Sequence, residues 1–262
     1  MEPVSIFDCR IVDLLELTED SNKAHVLITE IDKYVQNIPR FWNCLSAKEQ
    51  EQAKKYCTSL LRDRYIISHG ILRYILSYYA KELPQNLEFT HNKYGKPFLK
   101  KTNIQFNMSH SHNIVCYAIA FNYKVGIDIE YHNDVLNVME LLELVFTPQE
   151  VRLFNTFACE TKMKTFYSHW TKKESLVKAI GKGLAYPINT IETLNLLSED
   201  KMSVISTDSG TKESLYSYEF GRKIPPSYSG TIATDHKINK IVYVEATNQQ
   251  GIFDTVRFEC LN

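Results

Sequence analysis

The sequence predicts an α+β protein built as two halves of similar size that join near Lys124. Two observations carry this. Each half reads as helices, then a Gly-Lys turn (Gly95-Lys96, Gly181-Lys182), then strands. No low-complexity stretch or long linker separates them, and 262 residues, 44% of them hydrophobic, suffice for a core in each.

Taken in order, Ser5 to Leu17 alternates loosely and predicts a first strand, and Ala24 to Ile38 a weak helix. Ser46 is a good N-cap for the helix AKEQEQAKKYC, with Glu49 completing a capping box. Leu60 to Tyr79 is a strongly apolar helix carrying Arg62, Asp63, Arg64 and Arg73, and Pro84 ends that region. After the loop HNKYGKP come strands at Ile104 to Met108, Ile114 to Phe121 and Val125 to Glu130. Helical patterns follow at Asp134 to Leu144 and at Pro148 to Phe157, the second with Pro148 at N1. Phe166 to Leu184 is the next helix, stopped by Gly181 and Gly183. The rest reads as strands: Ile191 to Leu197, Leu215 to Phe220, Ser229 to Thr234, Ile241 to Ala246 and Ile252 to Glu259.

Composition narrows the function. A net charge of −1 gives no reason to invoke nucleic acid or an anionic membrane, so phosphate binding would need a local basic patch. No run is long enough to span a bilayer, and Met1 to Arg10 lacks the apolar core of a signal peptide. Six scattered cysteines with no C-x-x-C pair suit free thiols in a reducing cytosol rather than a zinc site.

Three stretches carry chemistry. In FYSHWTKKESLVKAIGKGL, Trp170, Glu174 and Lys178 fall at i, i+4 and i+8, one helical face, with Phe166 and Val177 placed to anchor it. An ordinary Glu–Lys surface pair gives the same spacing. In VGIDIE, Asp128 and Glu130 share one face of a strand, and two such carboxylates repel unless a cation lies between them. Oxygen ligands of this kind suit Mg²⁺ bridged to a phosphate; a solvated acidic edge strand is the plain alternative. With Glu174 as a third acid, the set resembles a metal held against a pyrophosphate, with a carboxylate as base and Lys178 neutralising a leaving phosphate. In FNMSHSHNIVCYAIA, Ser109 and His110 sit where a strand gives way to a turn, suited to phosphate oxygens or simply to a surface turn. No G-x-S-x-G elbow surrounds Ser109, and neither Gly-Lys element is a Walker loop; Gly95-Lys96-Pro97 reads as a rigid turn presenting one ammonium.

The order YGKP, FNMSHS, VGIDIE, FT-x-x-E and W-x-x-KES-x-x-K with IGKGL resembles the 4′-phosphopantetheinyl transferases of the surfactin-synthetase-activating type, from about Ser46 to about Pro187. The resemblance implies two similar α/β halves related by a pseudo-twofold, with the active site in the cleft between them. Residues 1–124 would supply the nucleotide contacts, and 125–262 the magnesium site, the catalytic helix and the docking surface. The implied reaction moves the 4′-phosphopantetheine arm of coenzyme A to a serine of an acyl or peptidyl carrier protein and releases 3′,5′-ADP. Asp128, Glu130 and Glu174 would hold Mg²⁺, or Mn²⁺, since oxygen ligands accept both. Glu174 would act as base and Lys178 would stabilise the leaving phosphate. Coenzyme A would contact Arg64, Lys93, Gly95, Lys96, Pro97, Asn107, Ser109, His110 and Lys178. The carrier would dock on Tyr131 to Phe157, where VMELLELVF is more apolar than a free helix needs, although core packing explains that run equally well. The KES ending resembles the branch that often serves nonribosomal peptide or polyketide synthases, some members serving fatty-acid carriers. A cytosolic monomer is expected. The departure from the family is Glu49 and Gln52, which stand where basic residues usually meet the 3′-phosphate; Lys48, Lys54 and Lys55 are the neighbouring cations. The competing readings are a non-catalytic carrier- or nucleotide-binding protein and a coenzyme A pyrophosphohydrolase.

Overall fold

The computed structural model describes residues 22–133, 137–193, 202–206 and 210–244. Strand β1 (Lys23–Glu30) is followed by a 3₁₀ segment and by helices α1 (Ile38–Cys44), α2 (Ala47–Lys54) and α3 (Ser59–Ala80). A two-stranded ribbon of β2 (Phe89–His91) and β3 (Pro97–Leu99) leads into β4 (Ile104–Ser111), β5 (Ile114–Phe121) and β6 (Val125–Tyr131). Helices α4 (Val138–Val145), α5 (Pro148–Phe154) and α6 (Cys159–Ile180) precede β7 (Met202–Ser206), β8 (Lys212–Glu219), β9 (Tyr228–Thr234) and β10 (Lys240–Val244).

Two four-stranded sheets organise these elements, in the orders β10-β1-β5-β4 and β6-β9-β8-β7. β10 pairs parallel with β1, so the chain returns to its first sheet near the end of the described residues. Helix α3 packs on the first sheet through Ile67, Ile71, Leu76, Tyr117 and Ile119. Between the sheets Val26, Cys116 and Ala118 meet Val125, Ile127, Ile129 and Ile232. Helix α6 covers the second sheet with Leu176 and Val177 against Leu215 and Ala233. Phe166, at its other end, packs with Phe146 and Phe154 from the α4–α5 region.

Several expectations are met for the reasons given. Ser46 and Glu49 form a reciprocal capping box on α2, and Pro148 lies in the first turn of α5, where Thr147 and Glu150 add a second capping box that was not expected. Gly181 takes φ +75 at the C-terminus of α6.

Others are corrected. Ala24 to Ile38, expected as a weak helix, is β1 followed by a 3₁₀ segment. β1 is a central strand with hydrogen-bonded neighbours on both sides, and its run of buried residues leaves no polar stripe for a helix to expose. Ser109 and His110 lie within β4, and the turn comes later, at His112-Asn113. Among the described residues, the helix expected from Asp134 begins only at Val138, capped by Asn137. Ile191 to Thr193 is in no strand, the remainder of that expected strand lies outside the described residues, and β7 was not expected at all. The strands expected at Ser5 to Leu17 and Ile252 to Glu259 also lie outside them.

Candidate active site

The site forms where the edge strand of one sheet meets the edge strand of the other. β4 and β6 are joined by side chains rather than by a backbone ladder. Asn107 Oδ1 accepts from Ile127 N at 2.8 Å, Ser109 Oγ donates to Asp128 Oδ1 at 2.8 Å, and Ser111 Oγ donates to Glu130 Oε2 at 2.8 Å. Residues 107, 109 and 111 share one face of β4 because strand side chains alternate, and Asp128 and Glu130 share one face of β6 for the same reason. The two alternations run in step.

Helix α6 closes the site from above. Its close approach depends on Gly126: a Cβ there would lie 2.0 Å from Ser175 O and 2.3 Å from Ala179 N. At that distance Lys178 Nζ donates to Asp128 Oδ1 at 2.6 Å and to Ser109 Oγ at 2.9 Å. Asp128 is 2% exposed, and its other oxygen, Oδ2, is buried with no hydrogen-bond partner among the described residues.

Electrostatics mark the cluster. Burial first, then the neighbouring negative charge of Asp128, pushes the Glu130 carboxyl up to about 7. Burial and Asp128 likewise raise Glu174. Burial raises Asp128 itself, against the pull of Lys178 and Ser109. Burial opposes the Lys178 charge, but Asp128 and Glu174 outweigh it and hold the ammonium above the usual amine range. Three acids surround one ammonium, and the surplus of negative charge favours added cations or protons.

Trp170, Tyr167, Glu130, Tyr131, Ser111, His112 and Asn133 line a cavity of about 330 Å³ beside these acids. Trp170 therefore faces the same cleft as Glu130, as its spacing from Glu174 and Lys178 predicts. On the other flank, His110 is exposed, and desolvation by the cleft walls, then the charges of Lys178 and Arg64, lower its pKa. Arg64 Nε is buried without a hydrogen-bond partner.

The structure places the remaining predicted residues in other contacts. Lys96 Nζ is directed inward and donates to three carbonyls, Val125 O at 2.8 Å, Lys178 O at 2.8 Å and Ala179 O at 3.0 Å. Its ammonium is therefore not presented on the turn, as the sequence suggested. Burial lowers it to about 7, with Asp235 opposing. Lys93 lies over the Tyr94 ring, Gly95 closes the turn by donating to Asn92 O at 3.0 Å, and Pro97 opens β3. Glu49 is the carboxylate partner of buried Arg73, with Nη2 to Oε2 at 2.6 Å, which explains an acid where a phosphate-binding base was expected. Lys48, Lys54 and Lys55 are exposed on or beside the same helix.

Sequence reasoning missed five contributors. Ser111 was legible as the next residue on the Ser109 face. Gly126 and Asn92 carry no local signal. Glu150 and Lys173 form an ion pair with neither side chain exposed, which fixes α5 beneath α6; Lys173 Nζ also donates to Val145 O at 2.7 Å. The T-x-x-E spacing is the local signal that could have marked Glu150 as a cap, and nothing local marks Lys173 as its second partner.

A seam of carboxylates with one lysine, flanked by an arginine and a histidine, thus lies where the edge strands of the two sheets meet. Residues 124–233 match the family model described as the 4′-phosphopantetheinyl transferase superfamily, and residues 34–122 match one described as 4′-phosphopantetheinyl transferase, N-terminal. The 4′-phosphopantetheinyl transferase HetI of Nostoc sp. is 31% identical over 173 residues, covering 64% of this chain and 73% of the relative. The enzyme gsp of Aneurinibacillus migulanus is 35% identical over 162 residues, 62% of this chain and 65% of the relative. Sfp of Bacillus subtilis is 24% identical over 200 residues, 75% and 85% respectively. The chain belongs to the 4′-phosphopantetheinyl transferase superfamily, whose reaction passes the 4′-phosphopantetheine arm of coenzyme A to a carrier-protein serine. Among the described residues no helix is long and apolar enough to cross a membrane.

Proposed function

We propose that this chain carries out that transfer with Mg²⁺ in the carboxylate seam, as a cytosolic monomer. The observation that carries the proposal is the buried Asp128, one oxygen on Lys178 and Ser109 and the other without a partner. Among the described residues no three metal-binding side chains stand close enough together to form a finished cage. The donor set nevertheless fits. Asp128, Glu130 and Glu174 offer only oxygen, and a buried unpaired oxygen costs roughly 1–3 kcal/mol that a cation would recover. Mg²⁺, or Mn²⁺, held by these three would neutralise the diphosphate of coenzyme A.

The chain's own residues do the rest. Glu174 takes the proton of the carrier serine as its oxygen forms a bond to the β-phosphorus, and the bond from that phosphorus to the bridging oxygen breaks. Lys178 stabilises the charge that arrives on the departing 3′,5′-ADP. Ser109, His110 and Arg64 orient the phosphates, and the loop from Lys93 to Pro97 and Asn107 borders the nucleotide. Preference for the 3′-phosphate falls to Lys48, Lys54 or Lys55, since Glu49 is committed to Arg73. The carrier docks on residues 131–157. Leu142 and Val145 of α4 are buried in the core, but Leu144 stands 65% exposed, an apolar side chain available to a partner helix.

Mass spectrometry of an apo carrier protein incubated with this chain, coenzyme A and Mg²⁺ tests the proposal. The expected result is a gain of one phosphopantetheine, abolished by Asp128→Ala. Release of 3′,5′-ADP without a carrier would identify a hydrolase instead, and full turnover by Asp128→Ala at limiting Mg²⁺ would refute the metal assignment.

A further inference from the structure

We infer that Lys96 is a positioning residue: its buried ammonium fastens the end of the catalytic helix to the strand that carries Asp128. This rests on the function proposed above, and it assigns Lys96 a different task from phosphate contact.

The geometry is specific. An ammonium has three hydrogens, and Lys96 Nζ has three carbonyl acceptors at 2.8, 2.8 and 3.0 Å. Two of them, Lys178 O and Ala179 O, belong to the last turn of α6, where the helix's own ladder runs out; among the described residues Lys178 O accepts besides only from the C-cap Gly181 N, at 3.2 Å. A cation there also meets the negative end of the helix dipole. The third, Val125 O, opens β6, three residues before Asp128. Lys178 is thus held at two points: Lys96 holds its carbonyl, and Asp128 holds its ammonium. A side chain that bridges the backbones on either side of the Asp128–Lys178 contact sets the spacing of that contact.

The loop that carries Lys96 is itself built to stay still. Asn92 Oδ1 accepts from Tyr94 N and Lys96 N, both at 2.9 Å, and Asn92 N donates to Lys96 O at 3.0 Å. Asn92 Nδ2 then donates to Gly181 O at 2.6 Å, a second bond from the same loop to the end of α6. Lys96 is only 9% exposed. A lysine meant for a ligand's phosphate would keep a donor toward the cleft, and this one directs all three at backbone.

The test uses the full chain with Lys96→Met, which keeps the length of the side chain and removes the donors, and with Asn92→Ala. Three quantities are read: the single-turnover rate on an apo carrier protein at saturating coenzyme A, the Kd of 3′,5′-ADP by calorimetry, and amide hydrogen exchange over residues 174–182 against that of α3. In Lys96→Met the rate should fall about 10²-fold, as for a misplacement of about 1 Å. The Kd should stay within about two-fold, and exchange should quicken at the end of α6 but not in α3. A Kd weakened tenfold with an unchanged saturated rate would make Lys96 a phosphate ligand and overturn the inference. Unchanged rate and exchange would overturn it as well. Should Lys96→Met fail to fold, Asn92→Ala decides: a several-fold slower rate with unchanged Kd supports the inference, and a wild-type rate overturns it. If the wild type itself transfers nothing while exchange at α6 still responds to Lys96→Met, the proposed function fails and the anchoring role stands.

Discussion

Gly126→Ala tests whether the contact between β6 and α6 sets the geometry of the site. The added Cβ would lie 2.0 Å from Ser175 O, and real Cβ atoms essentially never approach within 3.0 Å, so the two backbones must part by about 1 Å. Both obstructing groups are helix backbone, and neither can swing aside. Residue 126 is two positions from Asp128, and Ser175 and Ala179 flank Lys178, so the separation falls directly on their 2.6 Å contact. Overpacking of this kind costs about 1–3 kcal/mol in stability, or very roughly 2–10 °C in Tm for a chain of this size. A displacement of about 1 Å in the reacting groups costs ~10² in rate. The assays are thermal unfolding and a single-turnover measurement of carrier loading at saturating coenzyme A. The expected pattern is a rate loss far larger than the stability loss explains at a temperature where the variant is fully folded. A folded Gly126→Ala enzyme with a rate within three-fold of wild type would show that the Asp128–Lys178 spacing does not govern the chemistry.

Other expectations follow from the same contacts. Glu174→Gln should lower kcat strongly with coenzyme A binding weakened less, and Lys178→Ala should lower kcat and weaken 3′,5′-ADP; the double variant should show less than the sum, because both act on one diphosphate. Wild-type single-turnover rates in Glu174→Gln would return this helix to an ordinary amphipathic one. Glu150→Gln leaves the Lys173 ammonium buried without its carboxylate and should cost about 3–5 kcal/mol, whereas Glu150→Leu with Lys173→Met should recover much of that; urea unfolding reads both, and a loss under 1 kcal/mol in the single variant contradicts the role of the pair. His25 is fully buried beside Tyr79, and burial, then Lys23 and Lys240, lowers it to about 3. Because its folded pKa lies below the unfolded ~6.5, its contribution is complete above pH ~6.5 and is lost as pH falls toward 3, at up to about 1.4 kcal/mol per unit. Denaturation at pH 7 and pH 5 should show this slope reduced in His25→Gln, and an equal slope in both proteins would place the acid sensitivity elsewhere.

Local rules settled much of this protein in advance. Capping boxes at Ser46 and Thr147, the glycine stop at Gly181 and the period-2 pattern of Val125 to Glu130 depend on residues within a few positions of one another, so they are legible in one dimension. The face shared by Trp170, Glu174 and Lys178 was likewise fixed by helical spacing. What the chain could not announce are the partners of charged groups far apart in sequence. Lys96 on its turn looks like an ammonium offered to solvent, and only the arrival of α6, 82 positions further on, turns it into a clamp on backbone carbonyls. Glu49 looks like a missing phosphate ligand until Arg73 reaches it from α3. Ala24 to Ile38 failed as a helix because a central strand position, with β10 and β5 on either side, overrides weak local preference. The sequence by itself determined which face of its element each candidate residue occupies, because that follows from the backbone's own repeat. Tertiary structure alone decided which charges meet, because a buried ion must take its partner from whatever element packs above it.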